Sequence, residues 1–281
     1  MATKKTLQGV LLYLGYLVMF LFIVFPLYWI VTMSFKEFRD IIAYPPRFLF
    51  KPTLANYRAI LGLAGDGAGF AFLGYLKNSI IVSSLSVALS ALVSIPAAYA
   101  FARFPMRLKD NLSFTILSLR FAPEILIIIP LYAVFSKLNL YDTYLGLILV
   151  HQLITLPLTI WILRGFFAEV PVEIEESAKV DGCGPWRILT RISLPVILPG
   201  VAGAMIVSFV FSWNNLLFGL VLSGPKTQPV TVGILQTMHF DQINWGWMAA
   251  AIVFSIIPGI LVSGYFGKYL VKGLTEGAVK Q

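Results

Sequence analysis

Charge is scarce in this chain. Of 281 residues only 12% are Asp, Glu, Lys or Arg, against about a quarter in an ordinary soluble domain, which excludes a simple globular enzyme. Cysteine is nearly absent. Cys183 stands alone, which excludes an internal disulfide and any zinc or iron–sulfur site built from several thiolates. There are two histidines and no H-E-x-x-H, G-x-S-x-G or Walker A motif, so no catalytic residue and no metal ligand is assigned, and the chain is not expected to hydrolyse ATP alone. Apolar side chains fill the space: 58% of residues are hydrophobic, mean hydropathy is +0.85, and 22 Phe, 22 Gly and 16 Pro are present, as suits a bundle of membrane helices. The net charge of +8 is scattered between apolar runs instead of gathered in one, which fits membrane orientation better than nucleic-acid binding.

A helix needs about 20 mostly apolar residues to cross the hydrocarbon core. Six stretches qualify, about 10–35, 78–102, 112–136, 145–166, 196–222 and 248–267, so the expected fold is all-α, a single polytopic transmembrane domain over residues 1–281. The first run follows Lys4 and Lys5 but is longer than a signal h-region and lacks a convincing small-residue cleavage site, so it reads as a retained span. An even number of spans puts both termini on one side. The termini with 103–111 and 164–195 hold twelve of the 21 basic residues, and the Lys/Arg bias makes that side cytoplasmic.

In the long loop 36–77, Pro45, Pro46 and Pro52 precede Thr53, a candidate N-cap for a short surface helix with Leu54, Tyr57 and Leu61 on one face. Ser79, Ser83, Ser86, Ser90 and Ser94 recur at helical spacing and read as a packing seam in preference to a pathway wall. Gly200, Ala204, Ser208 and Ser212, then Gly259, Ser263 and Gly267, follow the same small-residue logic and suggest a bundle with a partner. No internal repeat or inverted duplication is visible.

Segment 168–195, AEVPVEIEESAKVDGCGPWRILTRISLP, is unlike a connector. Pro171 suits a first helical turn, Glu173, Glu175 and Glu176 favour its positive end, and Glu175 lies four residues before Lys179. Val170, Ile174 and Ala178 form an apolar stripe. Gly182, Cys183, Gly184 and Pro185 must stop the helix and open another, through Trp186, Leu189 and Ile192, until Pro195. The result is a helix-turn-helix knob, acidic at one edge.

These residues carry a resemblance. Glu176, Ser177 and Ala178, then Asp181, Gly182 and Cys183, then Ile192, Leu194 and Pro195 resemble the EAA loop of ABC-type importer permeases, with Ser177 and Cys183 as small departures from the pattern. Asn78 and Ser79, the run AAYAFARF from Ala97 to Phe104, Trp213 with Asn214, and the tail from Gly273 to Lys280 resemble the carbohydrate branch of that family, in particular its maltose-type second permease subunit. The resemblance implies a subunit of a bacterial or archaeal cytoplasmic (inner) membrane complex. Its partners would be a second permease, two ATPase subunits and an extracytoplasmic binding protein for a sugar. No cofactor belongs to this chain, and ATP and Mg are held by the ATPase subunits. The loop would dock in an ATPase cleft, with Glu176 meeting a basic group, Gly182 making the turn and Ala178 allowing close contact.

Ionisable groups inside a span are functional suspects. Arg120 and Glu124, four apart around Pro123, are expected to share a helix face and form an ion pair, either lining the pathway or holding a kinked helix. A hydroxyl-rich sugar suits such groups. Asn214 and Asn215 beside Trp213 offer amides next to an aromatic face, read as pathway in preference to helix–helix hydrogen bonding. His151 and Gln152 are weaker candidates. The outer loop 223–247, with Pro225, Pro229, Asp241, Trp245 and Trp247, resembles the loop that meets the binding protein, its tryptophans anchoring at the interface. The competing readings are an ABC permease for a non-sugar solute, such as a polyamine or phosphate, and a membrane-embedded enzyme.

Overall fold

The structure is a computed structural model. It describes the backbone of residues 2–63, 72–238 and 243–278, and side chains for 9–63, 72–238 and 243–268. Asp241 and the side chains of Lys4, Lys5 and the tail from Gly273 onward lie outside the described residues.

The helices follow in the order α1 (Ala2–Ser34), α2 (Phe38–Ile41), α3 (Ala55–Ile60), α4 (Phe72–Arg103), α5 (Lys109–Ser118), α6 (Glu124–Lys137) and α7 (Tyr144–Glu169). After these come α8 (Val172–Val180), α9 (Pro185–Ile188), α10 (Leu194–Val196), α11 (Leu198–Asn214), α12 (Leu217–Leu222), α13 (Val230–Leu235) and α14 (Trp245–Ala278). A 3-10 turn occupies Leu119–Phe121 and a π turn Leu189–Ser193. Among the described residues four helices are long and apolar enough to cross a membrane, and two bent pairs bring the number to six if each pair is one span. The chain is a multi-pass membrane protein. Pro26, Pro96, Pro157 and Pro258 sit inside the four long helices, tolerated because neighbouring groups in a bundle re-satisfy the freed carbonyls.

Two expected spans are not single helices. The stretch 112–136 bends by 90° between Phe121 and Glu124, because Pro123 lacks an amide donor and drives Ala122 to an extended ψ of 129°. The stretch 196–222 is entered through an 81° break at Ile197, between Pro195 and Pro199, each of which opens a new helix. It stops at Asn215, whose extended backbone ends α11 and whose Oδ1 accepts the Phe218 amide at 3.0 Å, restarting the chain as α12.

Contacts divide the chain into two units, residues 1–73 with 234–256 and residues 74–233 with 257–281. In the first, α3 begins two residues after Thr53, with Leu54 and not Thr53 at the cap position. Thr53 Oγ1 accepts the Ala55 amide at 3.1 Å, and Asn56 Nδ2 donates to the Ser34 and Lys36 carbonyls, both at 2.9 Å. The buried Lys36 ammonium lies 4.3 Å from the Trp29 ring centre, where the aromatic face replaces part of its hydration.

In the second unit the serine stripe of α4 is buried throughout. Ser90 Oγ donates to Thr159 Oγ1 at 3.3 Å, Thr159 and Ser208 hydroxyls meet at 2.7 Å, and Gln152 Nε2 donates to the Ser86 carbonyl at 3.1 Å. Small residues let α4, α7 and α11 approach, and hydroxyls join them. At one end of this unit Asp110 pairs with Arg164, and Arg103 with Glu175 at 3.0 Å. At the other, Asp142 and Asn78 hold the loop 223–230. The small-residue face of α14 has no covering among the described residues: a Cβ at Gly259 or Gly267 would meet nothing within 4 Å.

Candidate functional site

Helix α8 ends as a Schellman motif. Gly182 has φ +80°, its amide donates to the Lys179 carbonyl at 3.0 Å, and the Cys183 amide donates to the Ala178 carbonyl at 2.9 Å. Pro185 then opens α9. The elbow expected at Gly182 is therefore a defined turn with its last carbonyls satisfied. Glu176, Ser177 and Asp181 are exposed on α8 and its cap, beside Val180 at 89% and Trp186 at 68% exposure. The knob offers carboxylates interleaved with apolar side chains.

The buried face of α8 departs from the expected stripe. Val170 and Ala178 are buried, but Ile174 is 44% exposed and Glu175 takes the inner position at 1%. Ala178 packs into the cluster of Tyr99, Leu163, Phe167 and Ile188, so it faces its own chain and offers no surface for close contact with a partner. Ile192 and Leu194 pack against the same cluster, while Pro195 is exposed. Glu175 makes no pair with Lys179; it meets Arg103, Tyr99 and Ser193. Sequence periodicity missed this, because a carboxylate among three glutamates reads as solvated until a long-range cation is seen to meet it.

Within the membrane region of the same unit, a cavity of about 320 Å³ is lined by Arg120, Glu124, Phe211, Asn214 and Asn215, among others. The bend at Pro123 removes the shared helical face on which an ion pair between Arg120 and Glu124 depended, and no ion pair joins them. Arg120 instead lies over the Phe211 ring, 3.9 Å from its centre, and Glu124 Oε2 accepts a hydrogen bond from Asn215 Nδ2 at 3.0 Å. Asn214 Nδ2 donates to the Val210 carbonyl at 2.8 Å. Trp213 does not line the cavity: it is 6% exposed and stacks on Phe209 at 5.5 Å. The aromatic wall is Phe211, two positions away, which faces the cavity because 200° of helical rotation separates it from Trp213. Chemically the cavity offers a cation on an aromatic face, an anion and two amides, a set that hydrogen-bonds hydroxyl groups. His151 is buried beside it, with Nδ1 2.6 Å from the Leu147 carbonyl and its ring edge-on to Phe218, a satisfied packing residue.

A third arrangement fixes the loop 223–230. Asp142 Oδ1 accepts the amides of Gly224 at 2.9 Å and Thr227 at 3.0 Å and the Thr227 hydroxyl at 2.8 Å. Asn78 Nδ2 donates to the carbonyls of Lys226 and Gln228, Tyr144 Oη donates to Asn78 Oδ1 at 2.7 Å, and Ser79 Oγ accepts the Val230 amide at 2.7 Å. Burial pushes the Asp142 carboxyl up, but the Thr227 hydroxyl and the three loop amides outweigh it and leave its pKa lowered.

Residues 94–276 match the family described as binding-protein-dependent transport system inner membrane component. The chain is 34% identical over 278 residues to the probable ABC transporter permease protein y4oR of Sinorhizobium fredii, covering 99% of this chain and 98% of that one. It is 32% identical over 280 residues to the trehalose/maltose transport system permease protein MalG of Thermococcus litoralis, covering 99% of each. Among solved structures, a bacterial ABC transporter involved in the import of the acidic polysaccharide alginate has a chain of the same fold, with TM-score 0.78 at 21% identity over 95% of this chain and 97% of that one.

Proposed function

Because the chain belongs to the binding-protein-dependent transport system inner membrane component family, we propose that it is one of two permease subunits of an ATP-driven sugar importer, with its exposed acidic elbow seated in a cytoplasmic ATPase subunit. The observation that carries this reading is the elbow itself: Glu176 and Asp181 project from a helix that is closed by Gly182 and packed into the chain on its other face. Such a knob transmits force, because its base is fixed while its edge is free to be gripped. A complementary cleft is basic with an apolar floor, since carboxylates alternate with Val180 and Trp186. In this assembly both termini and the elbow are cytoplasmic, two ATPase subunits bind ATP and Mg, and a binding protein delivers solute at the face that carries the loop 223–230. Closure of the ATPase pair moves the elbow and switches the permease between inward and outward access.

The sugar assignment draws on the full-length similarity to the trehalose/maltose permease and on the polar cavity at Arg120, Glu124, Asn214 and Asn215. There the carboxylate and guanidinium act as hydrogen-bond partners for neutral hydroxyls, and Phe211 holds the guanidinium over its ring. Reconstitution of the complete assembly with its binding protein, screened across sugars, tests the reading. A sugar that raises ATP hydrolysis and accumulates inside vesicles supports it. Stimulation by a polyamine or phosphate alone, or none with a fully assembled complex, overturns it.

A further inference from the structure

The buried side of the elbow carries a carboxylate that docking leaves without a task. Glu175 is 1% exposed, while Glu173 and Glu176 on the same helix face solvent. Three groups from two other elements converge on it. Ser193, the last residue of the π turn, donates through Oγ to Oε1 at 2.7 Å, and Tyr99 of α4 donates through Oη to Oε2 at 3.1 Å. Arg103 of α4 brings Nε to 3.0 Å from Oε1, close enough for charge pairing but off-line for a hydrogen bond. Its Nη2 donates to the Val170 carbonyl at 2.7 Å, in the turn that leads into α8. Tyr99 belongs to a buried apolar cluster with Phe167, Ala178, Ile188 and Leu189, and the Arg103 and Glu175 side chains are only 11% and 1% exposed, so the charges sit in a poorly screened setting.

Apolar packing could hold these elements together as firmly, since a buried ion pair replaced by hydrocarbon is often no less stable. What the pair adds is geometry. Apolar side chains can slide and repack, whereas a carboxylate with three convergent partners has one satisfied arrangement. A π turn at one of those partners fits a functional role, because π bulges concentrate at functional sites.

We propose that Glu175 is a positioning residue that locks α8 to the end of α4 and to the π turn ahead of α11, so that displacement of the elbow reaches both spanning helices as one rigid step. This rests on the docking reading above. It assigns Glu176 to the partner and Glu175 to the chain's own helices, two adjacent carboxylates with opposite duties.

The test measures sugar imported per ATP hydrolysed in the reconstituted complex. Glu175→Gln keeps the shape and removes the charge. The expected result is ATP hydrolysis near the wild-type rate with sugar per ATP lowered about fivefold or more, a change typical of mutations along a coupling route. Tyr99→Phe and Ser193→Ala, each deleting one hydrogen bond, should give smaller losses in the same ratio, and they decide the matter if Glu175→Gln does not assemble. Spin labels at Val172, exposed at the start of α8 and away from the docking edge, and at Leu92, in a Cys183→Ser background, should hold one distance through the nucleotide cycle and lose that constancy in the variants. A wild-type ratio in all three variants overturns the proposal while leaving the docking reading standing. Absence of sugar-stimulated hydrolysis in the wild-type complex overturns both.

Discussion

At Gly182 the backbone is left-handed, with φ +80°, yet a Cβ there would meet nothing within 4 Å. The requirement for glycine is therefore torsional and not steric. Gly182→Val is expected to strain the elbow by about 1–2 kcal/mol and to lower sugar-stimulated ATPase activity of the assembled complex. Gly182→Asn, which tolerates that region better, should lose less. At the neighbouring edge, Glu176→Lys should leave membrane insertion intact and lower coupled ATP hydrolysis, by setting a like charge against the expected basic cleft. Asp142 supplies a pH signature. Its folded pKa lies below the ordinary value of 3.8, so its contribution to stability is complete above that value and disappears as pH falls through the lower, folded one. Thermal unfolding followed from pH 7 into the acid range should show that loss, and Asp142→Asn should be less stable at neutral pH and lack this component.

Among the elements, the close-packing faces of α4 and α11 were readable as a period of small residues, because close helix approach imposes that period whatever the neighbours are, while the part of α7 between them was not. The chemistry of the seam is interhelical: Thr159 bridges Ser90 and Ser208. Thr159→Val, nearly the same shape without the hydroxyl, should destabilise by about 0.6–1.7 kcal/mol in denaturant unfolding of the micelle-solubilised complex. The third and fifth spans read less well. Hydropathy is blind to a bend, since apolar residues line both arms of a broken helix, and only the local effects of Pro123, Pro195 and Pro199 mark the joints. Asn215 shows the consequence, for it caps α12 and also holds Glu124. Asn215→Ala should therefore reduce sugar transport more than Asn214→Ala, measured as uptake at equal complex density.

For the molecule as a whole, the surface calls for company. None of the most apolar window of α1 is buried within the chain, and the small-residue face of α14 stands open. Lipid or a partner must cover them. A partner that binds only the folded chain raises its apparent stability, so the chain purified alone should unfold at a lower temperature than the same chain co-purified with a second permease and the ATPase, in one detergent. Lacking a phosphate-binding loop, it should show no ATP hydrolysis until the ATPase subunit is added.

Composition and periodicity by themselves determined that this is an all-helical membrane chain, which stretches are apolar enough to cross, and that residues 168–195 form an acidic elbow turning at glycine. These properties arise from local chemistry: hydrocarbon thickness sets run length, and backbone torsion sets the turn. Tertiary structure alone decided that Glu175 points inward to Arg103 and Tyr99, that Ala178 faces its own chain, that Phe211 and not Trp213 walls the polar cavity, and that Arg120 and Glu124 part at a bend. Glu175 turns inward to partners 72 and 76 residues away, Phe211 meets Arg120 across 91, Ala178 is covered by helices that fold back over it, and the parting of Arg120 and Glu124 follows the direction a broken helix takes. None of these is encoded in the spacing of adjacent residues.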